Sequence, residues 1–348
     1  MHKIQSSKQV FSIAGVEVKP GEFKTINLPA AKLYTDIDIA MPIHVIRGKR
    51  PGPTVFISAA IHGDELNGIE IIRRLLTKKT LNTLRGILIA VPIVNVYGVL
   101  NQSRYLPDRR DLNRSFPGSA KGTLAGRIAH LFLNEIVNKC DYGIDLHTGA
   151  IHRSNLPQVR ANLDDEETLE LAKAFGVPVL LNSNIRDGSL RGAATEQGVK
   201  VLLYEAGEAL RFNELSIRAG VSGVLNVLAH LKMIRKSVKH KNLEPFVARS
   251  SNWVRASSSG IVRENKQLGD FVEKGELLAE IGDPLGFNCE PLYSKISGII
   301  IGKTNIPLVH EGEAMFHIAY FQSGDEVAEE VEQMPETFLP EDYTSIIQ

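Results

Sequence analysis

The sequence is poor in cysteine and in aromatic residues, and it has no excess charge of either sign. Its 348 residues include two cysteines, and aromatic residues make up 6%. Cys140 and Cys289 cannot form a disulfide framework, so we expect a reducing compartment. Forty basic and forty acidic residues give a formal net charge of zero. The chain therefore lacks the overall basic character of nucleic-acid-binding proteins, and local arginines must bind any anionic substrate.

Long apolar segments are also missing. The first eight residues lack the apolar core of a signal peptide, and no stretch is long and apolar enough to span a bilayer. We therefore expect a cytoplasmic protein that binds neither membranes nor nucleic acids. The length itself predicts two domains, or three.

Apolar runs and amphipathic segments alternate through the first two thirds of the chain. Short β-like runs occupy residues 1–50. Continuous apolar runs at 54–61, 86–94, 142–147, 177–181 and 199–204 predict buried strands. Helical periodicity covers 66–77, 123–138, 164–175, 189–197 and 213–235. This alternation is typical of an α/β fold.

The last third contains an internal near-repeat, between residues 253 and 320. The first copy begins with Ser259-Gly260-Ile261-Val262 and continues to Val272. The second copy begins with Ser297-Gly298-Ile299-Ile300 and continues to Val309. A Gly-Glu pair follows three residues after each valine, and an isoleucine nine residues after it. Two copies of strand–turn–strand predict a small pseudo-symmetric β-domain. The polar segment 236–242 then predicts a boundary between two domains, 1–242 and 243–348. The exposed strand edges of the second domain predict that the protein forms a homodimer.

A histidine and a carboxylate three positions apart follow the first buried strand. His62 and Glu65 stand where an open α/β sheet usually places its site, and His147 closes another predicted strand. Zinc hydrolases use three protein ligands, and two histidines with one glutamate are a known set. The spacing alone is weak evidence, since an isolated histidine is usually structural. The shared position at strand ends favours a metal site.

Three acidic residues are candidates for roles beside the metal. Glu205 closes an apolar strand and is a candidate general base, although it is equally well explained as a capping or loop acid. Asp111 and Asp145 are candidate acceptors for the ligand histidines, or acids that form turns.

Arginines crowd the long polar segment 95–118. Arg104, Arg109, Arg110 and Arg114 would ordinarily be solvated, but this segment follows a buried strand near the proposed metal site. Guanidinium groups bind carboxylates with two hydrogen bonds, and one could stabilise a tetrahedral oxyanion. Arg153 and Arg160 are equally well explained as anion-binding or as surface residues.

Five motifs together resemble the succinylglutamate desuccinylase/aspartoacylase family of the zinc carboxypeptidase superfamily. They occur in the family's order over roughly residues 55–210. The motifs are His62-Gly63-Asp64-Glu65-Leu66-Asn67-Gly68, Arg104-Tyr105, Asp111-Leu112-Asn113-Arg114-Ser115-Phe116-Pro117-Gly118, Asp145-Leu146-His147-Thr148-Gly149 and Tyr204-Glu205-Ala206-Gly207. The resemblance implies a mixed sheet with helices on both faces.

The resemblance also implies a metal and a reaction. His62, Glu65 and His147 would bind one zinc ion per chain. Glu205 would be the general base and would return its proton to the leaving amine. The reaction implied is hydrolysis of the amide bond of a small N-acyl amino acid.

Four further roles are implied by the same motifs. Arg104 would polarise the scissile carbonyl, and Asp111 would orient His62. Asn113 and Arg114 would hold the substrate carboxylate.

The resemblance also bears on the substrate. Related proteins with the Gly-Asp-Glu-Leu-Asn form act on other acylated amino acids, including diaminobutyrate derivatives.

The second domain resembles a lipoyl- or biotinyl-type barrel-sandwich. The predicted hairpin tip, residues 282–286, carries no lysine, and Lys295 lacks the flanking methionines of carrier domains. We therefore predict no prosthetic group. In related deacylases such a domain packs near the active-site mouth, so it would admit small substrates and exclude polypeptides.

Two other functions compete with the deacylase hypothesis. One is a metallocarboxypeptidase that acts on C-terminal peptide residues, which an open mouth would favour. The other is a binding protein that keeps the fold without the metal, and the intact set of His62, Glu65, His147 and Glu205 argues against it. The acyl group, the amino acid and the roles of Arg109 and Arg110 are not predicted by the sequence.

Overall fold

The computed structural model describes residues 10–183, 187–235, 243–322 and 324–340, which form nineteen strands and eight α-helices. The strands are β1 (Ser12–Ile13), β2 (Val16–Glu17), β3 (Phe23–Lys32), β4 (Asp38–Arg47), β5 (Arg50–Ala59), β6 (Arg85–Val91), β7 (Tyr142–His147), β8 (Arg153–Ala161), β9 (Val179–Asn182), β10 (Lys200–Gly207), β11 (Phe246–Ala248), β12 (Ser250–Arg255), β13 (Gly260–Glu264), β14 (Phe271–Val272), β15 (Leu277–Gly282), β16 (Cys289–Tyr293), β17 (Gly298–Thr304), β18 (Leu308–Val309) and β19 (Ala314–Tyr320). The helices are α1 (Asn67–Leu76), α2 (Val96–Leu100), α3 (Leu124–Glu135), α4 (Glu166–Phe175), α5 (Leu190–Glu196), α6 (Glu214–His230), α7 (Gly324–Glu332) and α8 (Met334–Phe338).

One mixed sheet of thirteen strands runs through the molecule. Its main path is β12-β19-β17-β8-β10-β7-β5-β6-β4-β3, with β9, β11 and β14 paired beside it. The four central strands β10, β7, β5 and β6 are parallel, whereas β8 and β4 join them antiparallel. The carboxyl ends of β5, β7 and β10 therefore meet at one edge of the sheet.

Helices cover both faces of the central strands, as the family resemblance implied. On β5, Val55 and Ile57 pack in one core with α1, α4 and α6, while Phe56 packs in the other with α3 and α5. Both faces of the strand are buried, which explains why its sequence is continuously apolar rather than alternating.

Side-chain caps fix where most of these helices begin. Thr123, Asp165, Ser189 and Asn213 each accept a hydrogen bond from the backbone N–H three residues ahead, at the starts of α3, α4, α5 and α6. Such caps satisfy amide groups that have no partner inside the helix. The helices predicted around them are confirmed with shifts of a few residues at their ends.

Two long strands and one short helix were not predicted. β3 and β8 lie outside the predicted strands, and α2 begins inside the long polar segment 95–118, which contains no predicted helix. Pro29 interrupts β3 and Pro157 interrupts β8, and neither strand has a long apolar run. Of these three elements, β8 has the largest effect on the predicted site, because this strand contacts the candidate site.

The last third of the chain has the predicted pseudo-symmetry. β13 to β15 form one repeat, and β17 to β19 form the other. The first strand of each repeat pairs with the short second strand of the other, β13 with β18 and β14 with β17. Gly275 and Gly312 hold equivalent left-handed turn positions, with φ of +89° and +81°, where a side chain would be strained.

This β-region is continuous with the central sheet, because β17 pairs with β8 from Arg153 to Asn155. The proposed boundary segment, 236–242, lies outside the described residues. The division into domains at 1–242 and 243–348 stays a prediction. Across the described ranges, no helix is of a length and hydrophobicity that would cross a membrane.

Candidate active site

Three buried side chains from two strand ends converge at the carboxyl edge of the sheet. Ligand atoms of His62, Glu65 and His147 all lie within 4.8 Å of one another. His62 Nδ1 lies 2.7 Å from Glu65 Oε1, and His147 Nδ1 lies 2.8 Å from Glu65 Oε2. The three predicted ligands therefore present two imidazole nitrogens and a carboxylate to one point.

Two aspartates hold the other nitrogens of these imidazoles. His62 Nε2 lies 3.1 Å from Asp111 Oδ1, and His147 Nε2 lies 2.7 Å from Asp145 Oδ2. Ser58 Oγ in turn donates to Asp145 Oδ1 at 2.7 Å. A carboxylate at Nε2 fixes the ring orientation and leaves Nδ1 as the metal-binding nitrogen, as in many zinc sites.

The charges in this cluster stabilise one another. Burial alone would lower the pKa of His147, but the carboxylates of Asp145 and Glu65 outweigh it and raise that pKa well above the usual value. Burial works against the ionised form of Glu65 as well, yet His62 and His147 hold its pKa far below the ordinary value. The cluster thus keeps its carboxylate ionised in a dry site.

Close backbone packing fixes the turn that carries the first two ligands. A Cβ atom at position 63 would lie 1.9 Å from the carbonyl carbon of Gly98, so only glycine fits there. The side chain of Asn67 then ties the turn to the end of β10, donating to Ala206 O at 3.1 Å and accepting from Asn213 N at 3.0 Å.

Glu205 lies beside His147 in the parallel register of β10 and β7. Its Oε2 accepts a hydrogen bond from Asn155 Nδ2 at 2.6 Å and forms an ion pair with Arg160 Nη2 at 3.2 Å. Both partners stand on β8. Of the two arginines left open by the sequence, Arg160 therefore contacts the candidate general base.

Arg104 contacts the ligand cluster directly. Its Nη1 lies 3.3 Å from Glu65 Oε1, and its Nη2 donates to Asp111 Oδ2 at 3.0 Å. Burial acts to lower the pKa of Arg104. The carboxylates of Glu65 and Asp111 outweigh burial and raise that pKa above its usual value, so the guanidinium group stays charged.

The predicted carboxylate-binding pair borders the same cavity. Asn113 accepts a hydrogen bond from Leu190 N at 2.9 Å through Oδ1, and Arg114 Nη1 donates to Asn113 O at 2.6 Å. Arg114 is exposed and Asn113 is buried, and both side chains line the cavity. Arg109 and Arg110 are also exposed but do not line it.

The cavity above the cluster has a volume of about 720 Å³ and is bounded on one side by the C-terminal strands. Ser251, Trp253 and Arg255 from β12 and His317 from β19 contribute to this wall. Asn155, Trp253 and His317 line the cavity but are not among the predicted site residues. Neither a motif nor a spacing marks them, because their position depends on the register between strands distant in sequence.

Comparisons with known proteins identify the family of the chain. The model of the succinylglutamate desuccinylase/aspartoacylase catalytic domain matches residues 51–231. The chain is 28% identical over 295 residues to N-alpha-acetyl-L-2,4-diaminobutyric acid deacetylase from Halomonas elongata, covering 81% of this chain and 86% of that protein.

Solved structures share the fold. The product-bound ectoine utilization protein EutE (DoeB) from Ruegeria pomeroyi is 25% identical, with a TM-score of 0.77 over 86% of this chain and 94% of that one. A succinylglutamate desuccinylase/aspartoacylase from Rhodobacter sphaeroides is 24% identical, with a TM-score of 0.77 over 86% and 95%. Because the family model covers more than half of the sequence, the chain belongs to the succinylglutamate desuccinylase/aspartoacylase family.

Proposed function

We propose that this protein hydrolyses the amide bond of a small N-acyl amino acid and depends on one zinc ion per chain. The observation that carries the proposal is the convergence of His62 Nδ1, His147 Nδ1 and the Glu65 carboxylate within 4.8 Å. Two imidazoles and a carboxylate are a ligand set of catalytic zinc. The aspartates at both Nε2 atoms support the same assignment.

The ion would supply Lewis-acid chemistry, lowering the pKa of water and polarising the scissile carbonyl. Glu205 is the proposed general base, which takes a proton from the attacking water and later returns it to the leaving amine. Asn155 and Arg160 both contact Oε2, so Oε1 is the oxygen available for the proton.

Three side chains are proposed to bind and polarise the substrate. Arg104, charged and beside Glu65, would stabilise negative charge that develops on the carbonyl oxygen. Asn113 and Arg114, at the rim of the same cavity, would hold the α-carboxylate of the amino acid.

The wall formed by β12 and β19 favours small substrates over peptides. Trp253 and His317 line the cavity together with the ligand cluster, and we propose that they limit the room for a polypeptide. This observation supports deacylation rather than the alternative metallocarboxypeptidase activity. The presence of all three proposed ligands and of Glu205 likewise argues against a binding protein without enzymatic activity. A cytoplasmic location and a homodimer remain predictions.

Release of free amino acid distinguishes these functions. The purified protein would be assayed with formyl, acetyl and succinyl amino acids beside peptides with free C-termini. We expect amino acid release from members of the first group and none from the peptides. Release from the peptides alone would contradict the proposal, as would equal rates for the wild type and Glu205→Gln.

A further inference from the structure

Glu208 joins three segments of the chain, and the proposed reaction gives it no role. Its Oε1 accepts a hydrogen bond of 3.1 Å from the backbone N–H of His152, and its Oε2 accepts one of 2.9 Å from Asn305 Nδ2. Glu208 directly follows β10, His152 lies between β7 and β8, and Asn305 directly follows β17. These three residues form the Glu208 bridge, which connects the C-terminal β-region to two segments of the central sheet.

The Glu208 bridge holds His152 in an uncommon backbone conformation. His152 has a φ of +61°, in the left-handed region that residues other than glycine rarely occupy. Its carbonyl oxygen accepts hydrogen bonds from Asn305 N at 2.7 Å and from Thr304 Oγ1 at 3.3 Å. Both backbone polar groups of His152 are therefore bound by other segments. Strain of this kind persists where the surrounding contacts determine the conformation, and it is common at functional sites.

The carboxylate of Glu208 is largely removed from water. Its side chain is 15% exposed, and Arg211 Nε lies 3.8 Å from Oε2. Burying a carboxylate costs free energy unless hydrogen bonds replace those made with water. The N–H groups of His152 and Asn305 supply such bonds, one to each oxygen. The position of Glu208 therefore depends on both partners, and the position of each partner depends on Glu208.

The segment between β7 and β8 reaches the candidate site through two backbone amides. Thr148 N donates a hydrogen bond of 3.2 Å to Oε2 of Glu65, a proposed zinc ligand. Gly149 N donates one of 2.9 Å to Gly207 O, two residues beyond the proposed base Glu205. A Cβ at Gly149 would lie 2.2 Å from a backbone oxygen, so this segment is closely packed. Displacing the segment would therefore disturb the ligand carboxylate and the end of β10 together.

We infer that Glu208, held by Asn305, is a positioning residue that fixes the end of β10 and the segment 148–152 for the proposed reaction. The inference rests on the proposed deacylase function, in which Glu205 at the end of β10 is the general base. Asn113 and Arg114, which would hold the substrate carboxylate, lie on a different segment. Loss of the Glu208 bridge should therefore lower kcat and leave KM nearly unchanged.

Exchanging the donor and the acceptor of one hydrogen bond tests the inference. In Asn305→Asp, two carboxylates face each other and the hydrogen bond to Glu208 is lost. We expect kcat to fall about tenfold, the lower end of the losses typical of residues that support the ligands of a metal site. Steady-state kinetics with an N-acyl amino acid that the wild type hydrolyses would measure this fall.

The double variant Asn305→Asp/Glu208→Gln should restore the contact with donor and acceptor reversed. The net charge of the pair is then that of the wild type, so long-range effects on a charged substrate cancel. The introduced glutamine can still accept from His152 N, and Ser154 Oγ, which lies 2.7 Å from Asn305 Nδ2, can donate to the introduced aspartate. Because the two changes compensate each other, kcat should return to within about threefold of the wild-type value.

Zinc content and circular dichroism separate a positioning role from a loss of structure. Asn305 is exposed, so the variants should keep the zinc content and the folded structure of the wild type. Asn265→Asp places the same charge at an exposed asparagine that follows β13, and kcat should not change. An unchanged kcat in Asn305→Asp, a loss that Glu208→Gln does not reverse, or a loss that matches a loss of zinc or of folded protein would overturn the inference.

Amide hydrogen exchange separates this inference from the proposed reaction, because it needs no substrate. Asn305→Asp should speed the exchange of the amides in residues 148–152, and the double variant should restore their protection. That result supports the Glu208 bridge even if no N-acyl amino acid is hydrolysed, in which case only the proposed reaction fails. Hydrolysis at the wild-type rate, with unchanged exchange in Asn305→Asp, would leave the reaction in place and contradict the role of Glu208.

Discussion

Asn155 Nδ2 donates a hydrogen bond of 2.6 Å to Glu205 Oε2 and so connects strand β8 to the candidate general base. Within the described part of the chain, no hydrogen bond joins Asn155 to His62, Glu65 or His147. The amide therefore positions the base without taking part in metal binding, and its effects should be separable from those of the ligands.

Replacing Asn155 with alanine should lower kcat about tenfold while zinc content stays unchanged. The carboxylate of Glu205 would lose a short hydrogen bond that fixes its orientation, and losses of 10- to 100-fold are typical of such supporting contacts. Steady-state kinetics with metal analysis would check this. Asn252→Ala, at an exposed position of β12, is the matched control. An unchanged kcat would show that Asn155 does not position Glu205 for catalysis.

Gly302 should be required for the same contact. Its neighbours in register are Asn155 on β8 and His317 on β19, and a Cβ there would lie 2.8 Å from Asn155 Oδ1. Gly302→Ala should therefore lower kcat much as Asn155→Ala does, because the added methyl displaces the amide. The double variant Asn155→Ala/Gly302→Ala should be no slower than either single variant. Additive losses would show that the two residues act independently.

Loss of His147 should abolish zinc binding and activity together. The imidazole is one of three proposed ligands, and Asp145 would be left beside an incomplete site. Zinc content by mass spectrometry and hydrolysis would be measured for His147→Ala and for the control His230→Ala, an exposed histidine at the end of α6. Metal-dependent activity retained in His147→Ala would show that a different residue is the third ligand.

Arg114 should contribute to KM rather than to kcat. Its side chain is exposed at the cavity rim, so we expect Arg114→Ala to weaken substrate binding by about 1.5–3 kcal/mol, the range for hydrogen bonds to charged groups. Arg110→Ala removes an exposed arginine that does not line the cavity and should leave KM unchanged. Equal KM values for all three proteins would exclude Arg114 from carboxylate binding.

The helix that follows the ligand turn should show a distinct pH dependence of stability. Hydrogen bonds from Arg73 and Arg74 lower the pKa of Glu70 from 4.5 to about 2. Since the folded-state pKa is depressed, this stabilisation is complete above pH 4.5 and is lost as the pH falls towards 2. Glu70→Gln should cost about 2 kcal/mol at pH 7, allowing for solvent screening of Arg73.

Urea denaturation at pH 7 and at pH 3.5 would measure this difference. The free energies of unfolding of the wild type and Glu70→Gln should approach each other at the lower pH. A difference that stays constant or grows on acidification would contradict the assigned ionisation of Glu70.

Much of the candidate site could be predicted from the sequence because its residues follow continuously apolar strands. Burial on both faces makes β5, β7 and β10 recognisable, and their ends carry His62, His147 and Glu205. The near-repeat also predicted the paired strands of the β-region, since equal spacing around Gly275 and Gly312 reflects equal turns.

The remaining half of the cavity could not be predicted, for physical reasons. β8 lies between the central sheet and β17 and is interrupted by Pro157, so its sequence resembles a loop. Trp253 and Arg153 are separated by a hundred positions, and only the pairing of β8, β17, β19 and β12 brings them together. Register between distant strands sets these contacts, and local sequence does not encode it.

Zinc titration of metal-free protein tests the central claim most directly, with hydrolysis of an N-acyl amino acid followed at each addition. We predict that activity rises in proportion to zinc and saturates at one ion per chain. Glu205→Gln should bind the same single ion and stay inactive. Full activity without zinc, or full activity in Glu205→Gln, would contradict the account.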